Sequence, residues 1–162
     1  MASLSYLTLE GATQGAFETE CPTAGFEKKI EVYSVDHTIE TPTDPNTGLA
    51  TGTVLHRVLK IVKAKDETSP LIMQAASTGE TFSKWELEFT RITKDGVQEV
   101  YYKITLDPAV CVHRRQYKHH QKDEAYSSYF DEEEIWFTYE KIIESHEVAG
   151  KETEIDWKSP KT

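Results

Sequence analysis

Ser69-Pro70-Leu71-Ile72-Met73-Gln74-Ala75-Ala76-Ser77-Thr78-Gly79 is the clear helix signal in a chain that otherwise alternates with the period of strands. Ser69 is placed to cap the first free amides. Pro70 suits the first turn, where its missing N–H has no partner to lose. Leu71, Ile72, Ala75 and Ala76 fall on one face, and Gly79 can take the left-handed conformation that ends a helix. The spacing predicts a helix over residues 69–78. One short helix among many strands predicts a mainly β chain, a compact barrel of antiparallel strands with the helix packed at its side.

Downstream of the helix, Trp85, Leu87 and Phe89 alternate with Glu86, Glu88 and Thr90. Asp95-Gly96 is a hairpin turn signal. The return strand sets Val100, Tyr102, Ile104 and Leu106 against Tyr101, Lys103, Thr105 and Asp107. Another strand is expected to begin at Ala109, after Pro108, and to grade into the basic stretch 113–122. Residues 132–144 read as strand with Ile135, Phe137 and Tyr139 in phase. Ala149-Gly150 is a turn, residues 152–157 a last strand and 158–162 a loose tail.

Upstream, residues 4–9 form a first strand, 11–25 an irregular connection and 26–39 a strand with Ile30 and Val32 in phase. Residues 41–48 are a loop, because the two prolines cannot donate to a ladder and Asp, Asn and Gly favour turns. Residues 53–65 carry apolar side chains in both phases, which predicts a strand covered on both sides.

A length of 162 residues favours one domain with its own core, and 38% hydrophobic with 28% charged residues fits a globular chain. No apolar run is long enough to span a bilayer, and residues 1–6 lack the basic and apolar regions of a signal peptide. Folding in the cytoplasm is the expectation. Cys21 and Cys111 make no short-spaced pair and read as free thiols. A formal net charge of −10 opposes attraction to DNA, RNA or anionic lipid. It also makes copies of the chain repel, so self-association needs apolar burial, backbone pairing or local charge complementarity.

Ile30-Glu-Val-Tyr-Ser-Val-Asp-His37, Pro42-Thr-Asp44, Asn46-Thr-Gly48, Thr51-Gly-Thr53, His56, Lys65-Asp66 and Ser69-Pro70-Leu71 follow one another in order. This series resembles the Hcp (haemolysin-coregulated protein) family of bacterial type VI secretion systems. The likeness continues through the Trp85 hairpin and Tyr139-Glu-Lys-Ile142 to Asp156-Trp157. It implies a barrel subunit that closes into a homohexameric ring, with rings stacking into a tube inside a contractile sheath. It further implies effector proteins carried and chaperoned in the lumen, a VgrG spike at the tube tip, and export without a signal peptide after assembly in the cytoplasm of a Gram-negative bacterium. Three features depart from the family pattern: the 11–25 connection, Glu144 where a tryptophan is common, and the strongly basic 113–122 stretch. With Trp157 close to the last residue given, no C-terminal effector domain is expected.

The candidate chemistry is sparse. Cys111 and His113, two apart, are expected on one strand face but lack a third group for catalysis. His119-His120 would chelate poorly on a strand, and no metal or other cofactor is expected. Arg114, Arg115, Lys118 and Lys122 around Tyr117 read as a solvated basic loop rather than a nucleic-acid patch. Glu132 and Glu133 lie in an acidic run of similar size. The basic residues Arg114, Arg115 and Lys118 could meet the Glu132 and Glu133 of a neighbouring copy, a head-to-tail contact of the type that closes rings. The polar 41–53 loop, with Thr43, Asp44, Asn46, Thr47 and Gly48, is the expected ring-stacking element. Phosphate loops, nucleophile elbows and His-Glu-x-x-His patterns are missing, so the expected role is structural, not enzymatic. The alternative is a monomeric barrel that binds a small apolar ligand inside.

Overall fold

The alternating segments become eleven strands in a computed structural model that describes residues 3–158. They are β1 (Ser5–Gly11), β2 (Gly15–Phe17), β3 (Ile30–Val32), β4 (Ser34–Asp36), β5 (Ile39–Glu40), β6 (Leu55–His56) and β7 (Leu59–Ala64). After helix α1 (Thr68–Thr78) come β8 (Thr81–Ile92), β9 (Gln98–Tyr117), β10 (Glu132–His146) and β11 (Lys151–Asp156). The main sheet runs β2-β1-β8-β9-β10-β7-β4, with β3 also on β1 and β11 also on β10. Strands β5 and β6 form a separate antiparallel ribbon.

The fold is mainly β and antiparallel, but strand pairing alone does not close the sheet. Its two borders meet through one short segment. β3 pairs with β1, setting Leu7 opposite Ile30, whereas β4 pairs with β7, setting Val35 opposite Ile61. Tyr33, between them, donates its N–H to the Val62 carbonyl at 2.8 Å. The chain thus leaves one border for the other within a few residues.

The interior is filled by the phases that the alternation marked. Leu7, Leu9, Leu59, Ile61, Leu87 and Ile135 are fully or almost fully buried. Phe137 lies at the centre, edge-on to Trp85 at 5.5 Å and to Phe82 at 5.8 Å between ring centroids. Edge-to-face rings place positive edges on negative faces, a geometry that adds to area burial.

Helix α1 seats Ile72 and Ala75 in that core and contacts β9. Its C-terminus is as expected: Gly79, at φ 70°, donates its N–H to the Ala75 carbonyl. Its N-terminus differs. Glu67 already has helical dihedrals, and Asp66 Oδ1 accepts from the Thr68 N–H at 2.9 Å. Asp66 therefore does the capping expected of Ser69. The Ser69 hydroxyl accepts from the Asp66 N–H at 3.0 Å, before the helix, and donates to Glu133 at 2.8 Å.

Other boundaries moved for identifiable reasons. The 11–25 segment contains β2, which folds back on β1 with Leu9 opposite Phe17. β9 runs unbroken through Pro108, because β10 pairs with it on both sides, at Ala109 and Asp107. The 53–65 segment divides into β6 and β7; Leu59 and Ile61 are buried, while Val54, Leu55 and Val58 are exposed. The cover on both sides that the sequence predicts for 53–65 is therefore not found: only the Leu59 and Ile61 phase is buried. Of the expected tail, 159–162 lies outside the described residues.

Candidate functional site

The 41–53 segment is an ordered tip on the β5–β6 ribbon. Asp44 organises it: its side chain accepts from the Asn46 N–H, its carbonyl from the Gly48 N–H and its own N–H donates to Leu49, each at 2.8 Å. The Thr47 hydroxyl accepts from the Leu49 N–H at 3.3 Å, and Thr43 bridges to Ala50. The five residues marked in the sequence are thus brought together in one turn. Around them stand exposed apolar side chains: Leu49 at 68%, Ile39 at 50% and Val54 at 48% of their free surface. A short ribbon showing this much apolar surface has no core of its own to bury it in.

The base of this arm is tied to the barrel by one phenol. Tyr139, buried on β10, has its hydroxyl 2.7 Å from His37 Nε2 and 2.8 Å from His56 Nδ1. His37 precedes β5 and His56 ends β6, so both legs of the arm meet the same atom. Burial pushes the Tyr139 phenol up, and burial also holds both imidazoles below their ordinary value of 6.5. The Tyr139 carbonyl accepts from the Trp157 indole N–H, which anchors the chain beyond β11 at the same point. A cleft of about 250 Å³ opens beside the phenol, lined by His37, His56, Ile142, Glu144, Thr153 and Ile155. In the sequence the two histidines stand out only within the series that resembles the family, and Glu144 only as a departure from it.

The basic and acidic runs pair within one chain. Arg114 and Arg115 lie on β9 rather than in a loop, beside β10. Arg115 reaches Glu134 at 3.3 Å, Lys118 reaches Asp131 at 2.7 Å and the Tyr117 hydroxyl donates to Glu132 at 3.0 Å. Lys118's hydrogen bond holds Asp131 below its ordinary value of 3.8. Arg114 Nε donates to Glu133 Oε2 at 2.9 Å. On its other oxygen Glu133 meets Lys63 Nζ at 2.7 Å, and both side chains are 0% exposed. Lys63 also reaches Asp66 and the Ala64 carbonyl at 3.0 Å. This buried network ties β7, β9 and β10 to the start of α1. The charge complementarity expected between copies is present inside one copy.

Cys111 and His113 do not share a face. A bulge makes Cys111 the partner of Phe137 and His113 the partner of Trp136, adjacent residues on β10 whose side chains alternate. Cys111 therefore points into the core, where burial pushes its thiol up to about 11, while His113 packs edge-on against Trp136 outside, at 4.5 Å. The expected thiol–imidazole neighbourhood is absent between these two. His119 stacks on Tyr126 at 4.8 Å beside Tyr129, and His120 is exposed.

The family model for "Type VI secretion system effector, Hcp" matches residues 6–146. The chain belongs to the Hcp family. It is 32% identical to the "Major exported protein" of Pseudomonas aeruginosa, across 99% of this chain and 98% of that one. Hcp1 of the E. coli EAEC 042 pathovar superposes with a TM-score of 0.85 at 26% identity, covering 96% of this chain and 99% of that one. A crystal structure of another Hcp protein superposes at 0.91 with 20% identity over 98% and 99% of the two chains, a likeness of fold. This Hcp chain is thus a type VI secretion tube protein.

Proposed function

We propose that copies of this chain close into a hexameric ring and that the β5–β6 arm joins one ring to the next. The observation that carries this reading is the arm: an ordered ribbon, bonded to the barrel at its base, with apolar side chains that the described residues leave exposed and another chain could cover. Burial of that surface favours association by about 25 cal/mol for each Å² of apolar area removed from water. The rings then form the tube, the lumen holds and shields small effector proteins, and the sheath and VgrG spike act on the assembled tube. Export follows from the tube's own expulsion. Charge contacts between subunits narrow to Arg115 and Lys118, whose side chains stay exposed at 58% and 64%; Arg114 and Glu133 are taken up by the buried network. Family membership supports a structural role over an enzymatic one.

Light scattering tests the ring: a species of six times the chain mass is expected, and a stable monomer at high concentration would refute it. Deleting residues 43–47 tests the arm. Rings of unchanged mass that no longer form tubes in electron micrographs are expected. Normal tubes from the deletion would remove the arm's stacking role.

A further inference from the structure

One hydroxyl between two imidazoles limits how many protons the arm's base can take up. A phenol O–H donates once and accepts through its lone pairs. At 2.7 and 2.8 Å from His37 and His56, and with its O–H spent in this bridge, it donates to one ring nitrogen and accepts an N–H from the other. The histidine that donates can bind a proton on its far nitrogen without disturbing the bridge. The histidine that accepts cannot. Its protonation turns the acceptor into a donor, forfeits the hydrogen bond from the phenol and sets two cations against one oxygen.

The surroundings decide when this happens. From β4, Asp36 faces His37 and favours its charged form; Glu144 on β10 does the same across the cleft. Burial opposes both and is the larger effect on His37, with the charge of His56 adding to it. His56 is shifted by burial alone. Tyr102 on β9 lies against Glu144, β11 contributes only the uncharged Thr153 and Ile155, and Glu40 is paired with Arg57 on the arm itself. A histidine whose folded value lies below its unfolded one stabilises the folded form fully above the ordinary 6.5. That contribution is lost as pH falls through the lowered values.

We propose that the His37–Tyr139–His56 bridge is a proton-operated latch: protonation of both imidazoles frees the base of the arm from the barrel and weakens ring stacking while the barrel stays folded. The latch itself stands on the bridge geometry; its consequence for stacking rests on the arm reading above. The arm has little else to hold it, because β5 and β6 pair only with each other and over two residues each. The barrel has the long β8–β9–β10 ladders, which contain neither histidine. Acid therefore acts on the arm first.

Amide hydrogen exchange on the full chain tests this at about pH 7.5 and about pH 5.5, with rates corrected for the chemical effect of pH. Protection of arm amides should fall roughly tenfold on acidification, the loss of side-chain hydrogen bonds, with β8 and β9 unchanged. Tyr139→Phe should leave the arm equally open at both values. The doubly substituted His37→Gln/His56→Gln chain, which cannot take up these protons, should show no dependence on pH. Arm protection in the unsubstituted chain that ignores pH, or a dependence that survives either variant, overturns the latch. Tube sedimentation under the same conditions separates the two claims. An arm that opens while tubes persist keeps the latch and removes the stacking role. Tubes lost with the arm still protected overturn the latch.

Discussion

Lys63 and Glu133 are charged residues in apolar positions. Lys63 follows Leu59 and Ile61 in the inward phase of β7, and Glu133 precedes Ile135 and Phe137 in that of β10. Their placement was legible as a break in two hydrophobic phases, although Glu133 reads at first as one of an acidic run. Their pairing was not, because it depends on the β7–β10 register, which places Lys63 opposite Glu133. An ion buried without its partner is costly, so Glu133→Gln should destabilise the chain by about 3 kcal/mol, at the low end for such pairs because Lys63 keeps Asp66. Urea unfolding should show a lower midpoint with an unchanged slope. A change below about 0.5 kcal/mol would mean that water already reaches this network.

At the level of the element, helix α1 shows which end signals can be trusted. The Gly79 signal held because a positive φ is a property of one residue's backbone. The Ser69 signal marked the right region but not the right residue, because cap chemistry is available to several nearby polar residues: Asp66 takes the Thr68 N–H, while Ser69 takes the Asp66 N–H and meets Glu133. A Cβ on Gly79 would meet nothing within 4 Å, so the cost of Gly79→Ala is backbone strain alone, about 1 kcal/mol. Gly79→Asn should cost less, because asparagine visits the left-handed region more readily. Thermal unfolding of the two variants checks the order, and equal losses would point to a contact rather than strain. The same reasoning covers Cys111 and His113. Spacing by two implies a shared face only in a regular strand, and the bulge opposite Trp136 and Phe137 is set by pairing.

For the whole molecule, a formal net charge of −10 sets copies against one another. Within one copy, Arg114 and Arg115 of the basic stretch are already paired with Glu133 and Glu134 on β10, which leaves less of its charge to offset this repulsion between copies. If apolar arm contacts drive stacking, screening the repulsion should promote it. Tube yield by sedimentation should rise between about 0.05 and about 0.5 M salt, as the screening length drops from above 10 Å towards a few Å. Tubes that dissolve in salt would place stacking on charge pairs instead.

The sequence by itself determined the inward phases of β1 and β8, the helix after residue 67 and its glycine end, the turn at Asp95-Gly96 and the polar loop at 41–53. These follow from periodicity and backbone preference, which act over a few residues. Only the tertiary structure decided which border β3 and β4 join, where the bulge reverses a face, and which partner each buried charge meets. It alone brought His37 and His56 to Tyr139, across 102 and 83 residues. Such contacts depend on register and closure, and these are set by the packing of the whole core rather than by any local run of side chains.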